Sequence, residues 1–168
     1  MLFDSTLLFY HTGSVFNLTA GEFVSLVGVT AGSASSVINL GNARDLGIGN
    51  GAEVPNVVVS IGTAVTSSLA TMTLNIQFQG STDSSTWTTY METGAQTTAS
   101  FAANSGFAFP VPRRTPGAAL PQYYRLNFNV AGTNGTAGIS TGTIFAGIVL
   151  DPAEALTLGQ YPAGFTVA

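Results

Sequence analysis

The stretch Met72-Thr73-Leu74-Asn75-Ile76-Gln77-Phe78-Gln79 alternates apolar and polar residues almost without fault. Successive side chains of a β-strand point to opposite faces. This period of two therefore sends Met72, Leu74, Ile76 and Phe78 to a core and Thr73, Asn75, Gln77 and Gln79 toward water or a neighbour. Tyr124-Arg125-Leu126-Asn127-Phe128-Asn129-Val130 repeats the pattern. Val57, Val58, Val59 and Ile61 form a denser run, as expected of a more deeply buried strand. Residues 143–150 are apolar on both faces, and their β-branched content and length point to a central or interface strand rather than a helix.

Turn chemistry separates these runs. Gly80-Ser81-Thr82-Asp83-Ser84-Ser85 precedes Trp87-Thr88-Thr89-Tyr90-Met91 and reads as a hairpin loop, with Asp83 bonded to nearby amides in an Asx-turn. Residues 132–136 play the same part around Asn134-Gly135, and Pro110, Pro112, Pro116 and Gly117 break the chain before Gln122. Helix signals are confined to one turn from Asp151 to Leu156, with Asp151 as N-cap and Pro152 first in the helix. The expectation is an all-β fold, one domain over residues 1–168, built as a β-sandwich or jelly roll. Residues 1–20 and 151–168 lack sustained alternation and are read as N- and C-terminal arms. They carry Leu2, Phe3, Leu7, Leu8, Phe9, Tyr161, Phe165 and Val167, side chains that must bury against their own sandwich or a neighbouring subunit.

Composition narrows the function. Of the 168 residues 45% are hydrophobic and 7% charged, against about 25% charged in an ordinary domain, and the mean hydropathy is +0.37. Such a surface is either covered by partners or a solvated Thr/Ser β-surface; exposed apolar area favours the first. The net charge is −4, and the only cations are Arg44, Arg113, Arg114 and Arg125. That is too few to neutralise a run of phosphates, so nucleic acid is not an expected partner. No stretch approaches the ~20 apolar residues of a spanning helix. The start, Met1-Leu2-Phe3-Asp4, is unlike a secretory leader, so lysis or an unsigned route is the expected way to any place outside a cell.

Groups suited to catalysis are scarce. His11 is the single histidine, cysteine is absent, and no phosphate-loop motif occurs. The eight acids are scattered without ligand spacing, so no metal, cofactor or enzymatic activity is expected. Two loops are candidate contacts instead. Asn39 to Gly49 holds Arg44 and Asp45, which either reach a neighbour or close a tight turn. Pro112-Arg113-Arg114-Thr115-Pro116 either clamps an acidic patch through bidentate arginine pairs or is a solvated loop. Trp87, Tyr90, Tyr123 and Tyr124 offer a rival, a sugar-stacking platform in a carbohydrate-binding or adhesive sandwich, against ordinary core and cross-strand packing.

Several blocks in order resemble the capsid cement, or decoration, proteins of tailed bacteriophages, those of short-tailed phages above all. They are Leu2-Phe3-Asp4 to Leu7-Leu8-Phe9, Val37-Ile38-Asn39-Leu40-Gly41 through Arg44-Asp45-Leu46-Gly47-Ile48-Gly49, Tyr124-Arg125-Leu126-Asn127-Phe128, residues 143–151, and Tyr161-Pro162-Ala163-Gly164-Phe165-Thr166-Val167. The resemblance implies a structural virion protein, assembled in the host cytoplasm, that sits on the outer capsid surface and bridges neighbouring major capsid proteins. It also implies self-association, as a trimer rather than a dimer. On this reading the partner-binding residues are Leu2, Phe3, Leu7, Leu8, Phe9, Tyr161 and Phe165 in the arms, with Arg44, Asp45, Arg113 and Arg114 in the loops.

Overall fold

A computed structural model describes residue 9 and residues 24–43, 54–69, 71–111, 118–132 and 138–149. The expected turn around Asn134-Gly135 and the helical turn after Asp151 lie outside them. The described residues form two antiparallel sheets. The strands are β1 (Val24–Ser25), β2 (Ser33–Ala34), β3 (Ile38–Asn39), β4 (Asn56–Thr66), β5 (Thr73–Ser81), β6 (Thr88–Glu92), β7 (Gln96–Thr97), β8 (Gly106–Pro110), β9 (Tyr123–Ala131) and β10 (Thr141–Val149). A short 3-10 turn, Thr98–Phe101, precedes β8. The protein is an all-β sandwich. Among the described residues no helix is long and apolar enough to cross a membrane.

The first sheet runs β1-β10-β4-β8 and the second β2-β9-β5-β6, with β3 also on β9 and β7 also on β5. Their facing sides share one core. Leu74, Ile76, Phe78, Leu126 and Phe128 come from the second sheet and Val57, Val59, Ile61, Ile144 and Ala146 from the first. The period read along β5 is kept. Leu74, Ile76 and Phe78 are fully buried, opposite Val130, Phe128 and Leu126 of β9. Met72 is buried too, just ahead of the strand.

Phe78 sits at the centre. Its ring stacks on Tyr124 at 5.3 Å and takes the edges of Phe9 and Tyr90, each at 6.2 Å. Tyr90 gets there through a bulge: Phe78 pairs with Met91 and Gln79 with Thr89, so Tyr90 is the extra residue on β6. Its ring occupies the space where a Cβ on Gly80 would stand. Phe9 donates its backbone N–H to Ala146 at 2.8 Å and is 2% exposed. Of the two destinations open to apolar residues near the ends, Phe9 has taken its own sandwich.

The first sheet is buried on both faces over much of its width. Val57, Val59 and Ile61 line the core, while Val58 and Ser60 between them are buried on the other side of β4, as are Phe145 and Val149 on β10. The dense valine run and the two-faced stretch from residue 143 thus become adjacent central strands, paired from Val149↔Asn56 to Thr141↔Thr66.

The second sheet has interrupted edges, each closed by a hydroxyl. Between β2 and β3, Ser35 donates its N–H to Leu126 O and accepts the Leu126 N–H on Oγ, at 2.8 and 2.9 Å. Between β6 and β7, Thr93 N–H bonds Ile76 O while Thr93 Oγ1 accepts the Ile76 N–H, both at 3.0 Å. In both places a side-chain oxygen stands in for a missing ladder carbonyl.

Phe78→Ala should destabilise the protein by about 3–5 kcal/mol, since the cavity lies among three rings that cannot collapse onto it. Gly80→Ala should cost about 1–3 kcal/mol by displacing the Tyr90 ring. Urea unfolding of both variants against wild type checks the two values and their order.

Candidate functional site

The polar half of the β5 alternation builds the most organised surface among the described residues. Its register sets Asn75 opposite Asn129, Gln77 opposite Asn127 and Gln79 opposite Arg125 on β9. On the other side Gln77 faces Glu92 and Gln79 faces Thr89 of β6. Side chains directly opposite on one face come within reach of each other, and here they join in two rows across three strands.

In the first row Asn127 Nδ2 donates to Gln77 Oε1 at 2.8 Å, and Gln77 Nε2 donates to Glu92 Oε2 at 2.9 Å. In the second, Arg125 Nε donates to Gln79 Oε1 at 2.9 Å, and Gln79 Nε2 donates to Thr89 Oγ1 at 3.0 Å. Asn75 Nδ2 ties in from the side with a 2.9 Å bond to the same Glu92 oxygen. The Arg125 guanidinium lies 4.1 Å over the Trp87 ring, a cation–π contact.

The electrostatics follow from these partners. Donation by Asn75, then by Gln77, stabilises the charged form of Glu92 and lowers its pKa from the ordinary value. Partial burial draws the Arg125 pKa down, though a guanidinium stays charged at any ordinary pH. One anion and one cation sit in a field of amides and hydroxyls. Such a face presents hydrogen-bond donors and acceptors with almost no net charge.

At the end of β5 the expected Asx-turn is present. Asp83 Oδ1 accepts from Thr86 N–H, Ser85 N–H and Ser81 Oγ at 2.8, 2.9 and 2.8 Å. These bonds, the two amides first, hold its carboxyl far below the usual range.

Of the partner-binding residues expected from the sequence, only Phe9 falls among the described residues, and it lies in the core. Leu2, Phe3, Leu7, Leu8, Arg44, Asp45, Arg113, Arg114, Tyr161 and Phe165 lie outside them, as does His11. Two of the four aromatics are turned to the core and cannot line an outer platform. Tyr124 and Tyr90 pack on Phe78, and Trp87 gives one ring face to Arg125. Among the described residues no three His, Cys, Asp or Glu side chains come together as a metal site would need.

Residues 23–144, most of the chain, match the family described as Bbp16. The chain belongs to the Bbp16 family. Bbp16 is a phage-related family name, and the matched span takes in the second sheet with its whole amide-lined face and the first sheet as far as Ile144 of β10. No curated protein matches the chain.

Sequence reasoning placed Asn75, Gln77 and Gln79 on this face but not Glu92, Arg125 and Asn127 beside them. The signal for Arg125 and Asn127 was the second alternating run; only the register, joining residues 46 and 50 positions apart, shows which amide meets which.

The pH dependence has a definite sign. Asp83 and Glu92 have lowered folded-state pKa values, so the stability they contribute is complete above their unfolded values near pH ~4 and fades as pH falls through the folded ones. Thermal melts should show Tm dropping below pH ~4, and the drop should be shallower in an Asp83→Asn, Glu92→Gln double variant. An identical acid profile for variant and wild type would contradict this assignment.

Proposed function

We propose that this Bbp16-family protein is a structural virion component, a capsid cement protein that binds the outside of a bacteriophage head, bridges neighbouring major capsid proteins and stabilises the shell. The observation that carries the reading is the amide-lined face of β6, β5 and β9. The phage-related family supports it.

Such a face suits attachment to another protein surface. Its side chains are fixed by their mutual bonds before any partner arrives, so little rotamer freedom is lost on docking. Each amide keeps unused donors or acceptors, since an Asn or Gln side chain offers two N–H groups and two lone pairs. A partner's backbone or amides can add to the rows without displacing them. Because the surface is nearly uncharged, binding rests on shape and hydrogen bonds, which salt screens far less than ion pairs. A cation-poor, acidic chain also fits an outer location better than one beside packaged DNA.

Self-association completes the proposal. Several copies held together multiply weak single contacts by roughly 10²–10⁴ through effective concentration. The terminal arms and the Arg44-Asp45 and Arg113-Arg114 loops are proposed as additional contacts with the shell.

The test is co-sedimentation and electron microscopy of the purified protein with phage heads stripped of it. Density should appear on the outer surface across junctions between capsid subunits, and binding should persist in about 1 M salt. Asn129→Glu, on the exposed end of the face, should weaken head binding by roughly tenfold or more through burial of an unpaired charge while leaving Tm unchanged. Failure to bind heads at low salt would refute the proposal.

A further inference from the structure

Three charged side chains stand among the described residues, Asp83, Glu92 and Arg125, and they are not equally provided for. Asp83 takes three donors from its own turn. Glu92 takes the Asn75 and Gln77 amides. Both anions are thus met before any partner arrives. Arg125 is not. Its Nε donates to Gln79 and its guanidinium lies over the Trp87 ring. Among the described residues, however, neither of its terminal nitrogens has an acceptor and no carboxylate pairs with it. Desolvation draws its pKa down with no anion to offset the effect.

Its place in the fold makes this imbalance matter. β9 is an interior strand, with β5 on one side and β2 and β3 on the other, so Arg125 lies away from the edges of its sheet. The chain between Ser35, bonded to Leu126, and Ile38, paired with Tyr124, passes beside it and carries Val37, 44% exposed. From the β6 side comes the Trp87 ring. A partner that covers the amide-lined face therefore covers Arg125 between apolar neighbours, where water no longer reaches it. A buried charge without an opposite charge or full hydrogen bonding is strongly unfavourable. The docked surface has to supply an anion.

We infer, granted that this face is the attachment surface, that the capsid protein presents an Asp or Glu side chain whose carboxylate meets both terminal nitrogens of Arg125. The planar guanidinium offers two parallel N–H groups that match the two oxygens of a carboxylate. The Gln79 bond and the Trp87 contact already restrain its rotamers, so little freedom is lost on pairing. A single cation in a neutral field matches one carboxylate, not a polyanion, which the net charge of −4 repels. A sugar acid fits less well. Sugars stack on open aromatic faces, whereas Tyr90 and Tyr124 are turned to the core and Arg125 takes one face of Trp87. Once enclosed, the pair is screened by salt much less than an exposed one.

Binding to stripped phage heads by wild type, Arg125→Gln and Arg125→Lys, each shown to be folded by its thermal melt, tests this pair. Arg125→Gln leaves the partner's carboxylate buried alone and should weaken binding by roughly thirtyfold or more. Arg125→Lys keeps the charge without the fork and should fall between the other two. Electron microscopy of decorated heads should show an Asp or Glu against Arg125. Neutralising that capsid residue should weaken wild-type binding but add little to the loss already caused by Arg125→Gln, the non-additivity of a direct contact. Full binding by Arg125→Gln, a neutral capsid group against Arg125, or additive losses would each overturn the pair and leave the cement proposal standing. A wild type that ignores heads would overturn both. Capture of the free protein by a polyuronate gel, lost in Arg125→Gln while head binding is intact, would overturn the pair in favour of an acidic sugar. If Arg125→Gln does not fold, Arg125→Lys decides: affinity equal to wild type would overturn the pair.

Discussion

The packing around Phe78 is the constraint on which the sandwich depends. A phenyl ring enclosed by Tyr124, Tyr90 and Phe9 joins three separate stretches of chain to β5. Each had to be brought there by a backbone device: the in-register pairing of β9, a bulge on β6, and a hydrogen bond from Phe9 to β10. Aromatic pairs at these distances add about 0.5–1.5 kcal/mol each beyond their burial. The glycine at position 80 belongs to the same construction, because any side chain there would meet the Tyr90 ring.

With that core fixed, the opposite face of β5 is fixed as well. Strand geometry permits no independent choice: if Leu74, Ile76 and Phe78 point inward, Asn75, Gln77 and Gln79 point out. The neighbouring strands then supply their own outward residues in strict register, and the amides find partners. The surface proposed for attachment is thus the reverse side of the hydrophobic core. Its neutrality is a matter of side-chain selection rather than of geometry, since strands tolerate charged residues on a solvated face.

Much of the fold was legible in the sequence because it rests on period and turn chemistry. The strands at residues 56–66, 73–81, 123–131 and 141–149 each follow a hydrophobic run, and the Asp83 turn follows from its Ser-rich surroundings. The short strands were not legible. Two residues cannot establish a period, and β1, β2, β3 and β7 exist only because long strands offer them an edge. β8 was missed for another reason: Gly-Phe-Ala-Phe-Pro alternates, but Pro110 at its end reads as a break. The hydroxyl closures by Ser35 and Thr93 were beyond reach, because they depend on carbonyl positions that only the assembled sheet defines. The expected contact residues were chosen as greasy or charged side chains in arms and loops, whereas the ordered polar surface lies on the strands.

The two-sided burial of the first sheet has a mechanical consequence. Val57 and Val59 are packed on one side of β4 and Val58 on the other, and β10 is lined in the same way by Ile144 and Phe145. Sliding one strand past the next by a single residue would turn every side chain to the wrong layer. A tug along these strands is therefore resisted by the whole ladder together, not bond by bond from one end. A clamp on a pressurised container would need that kind of stiffness in its spine.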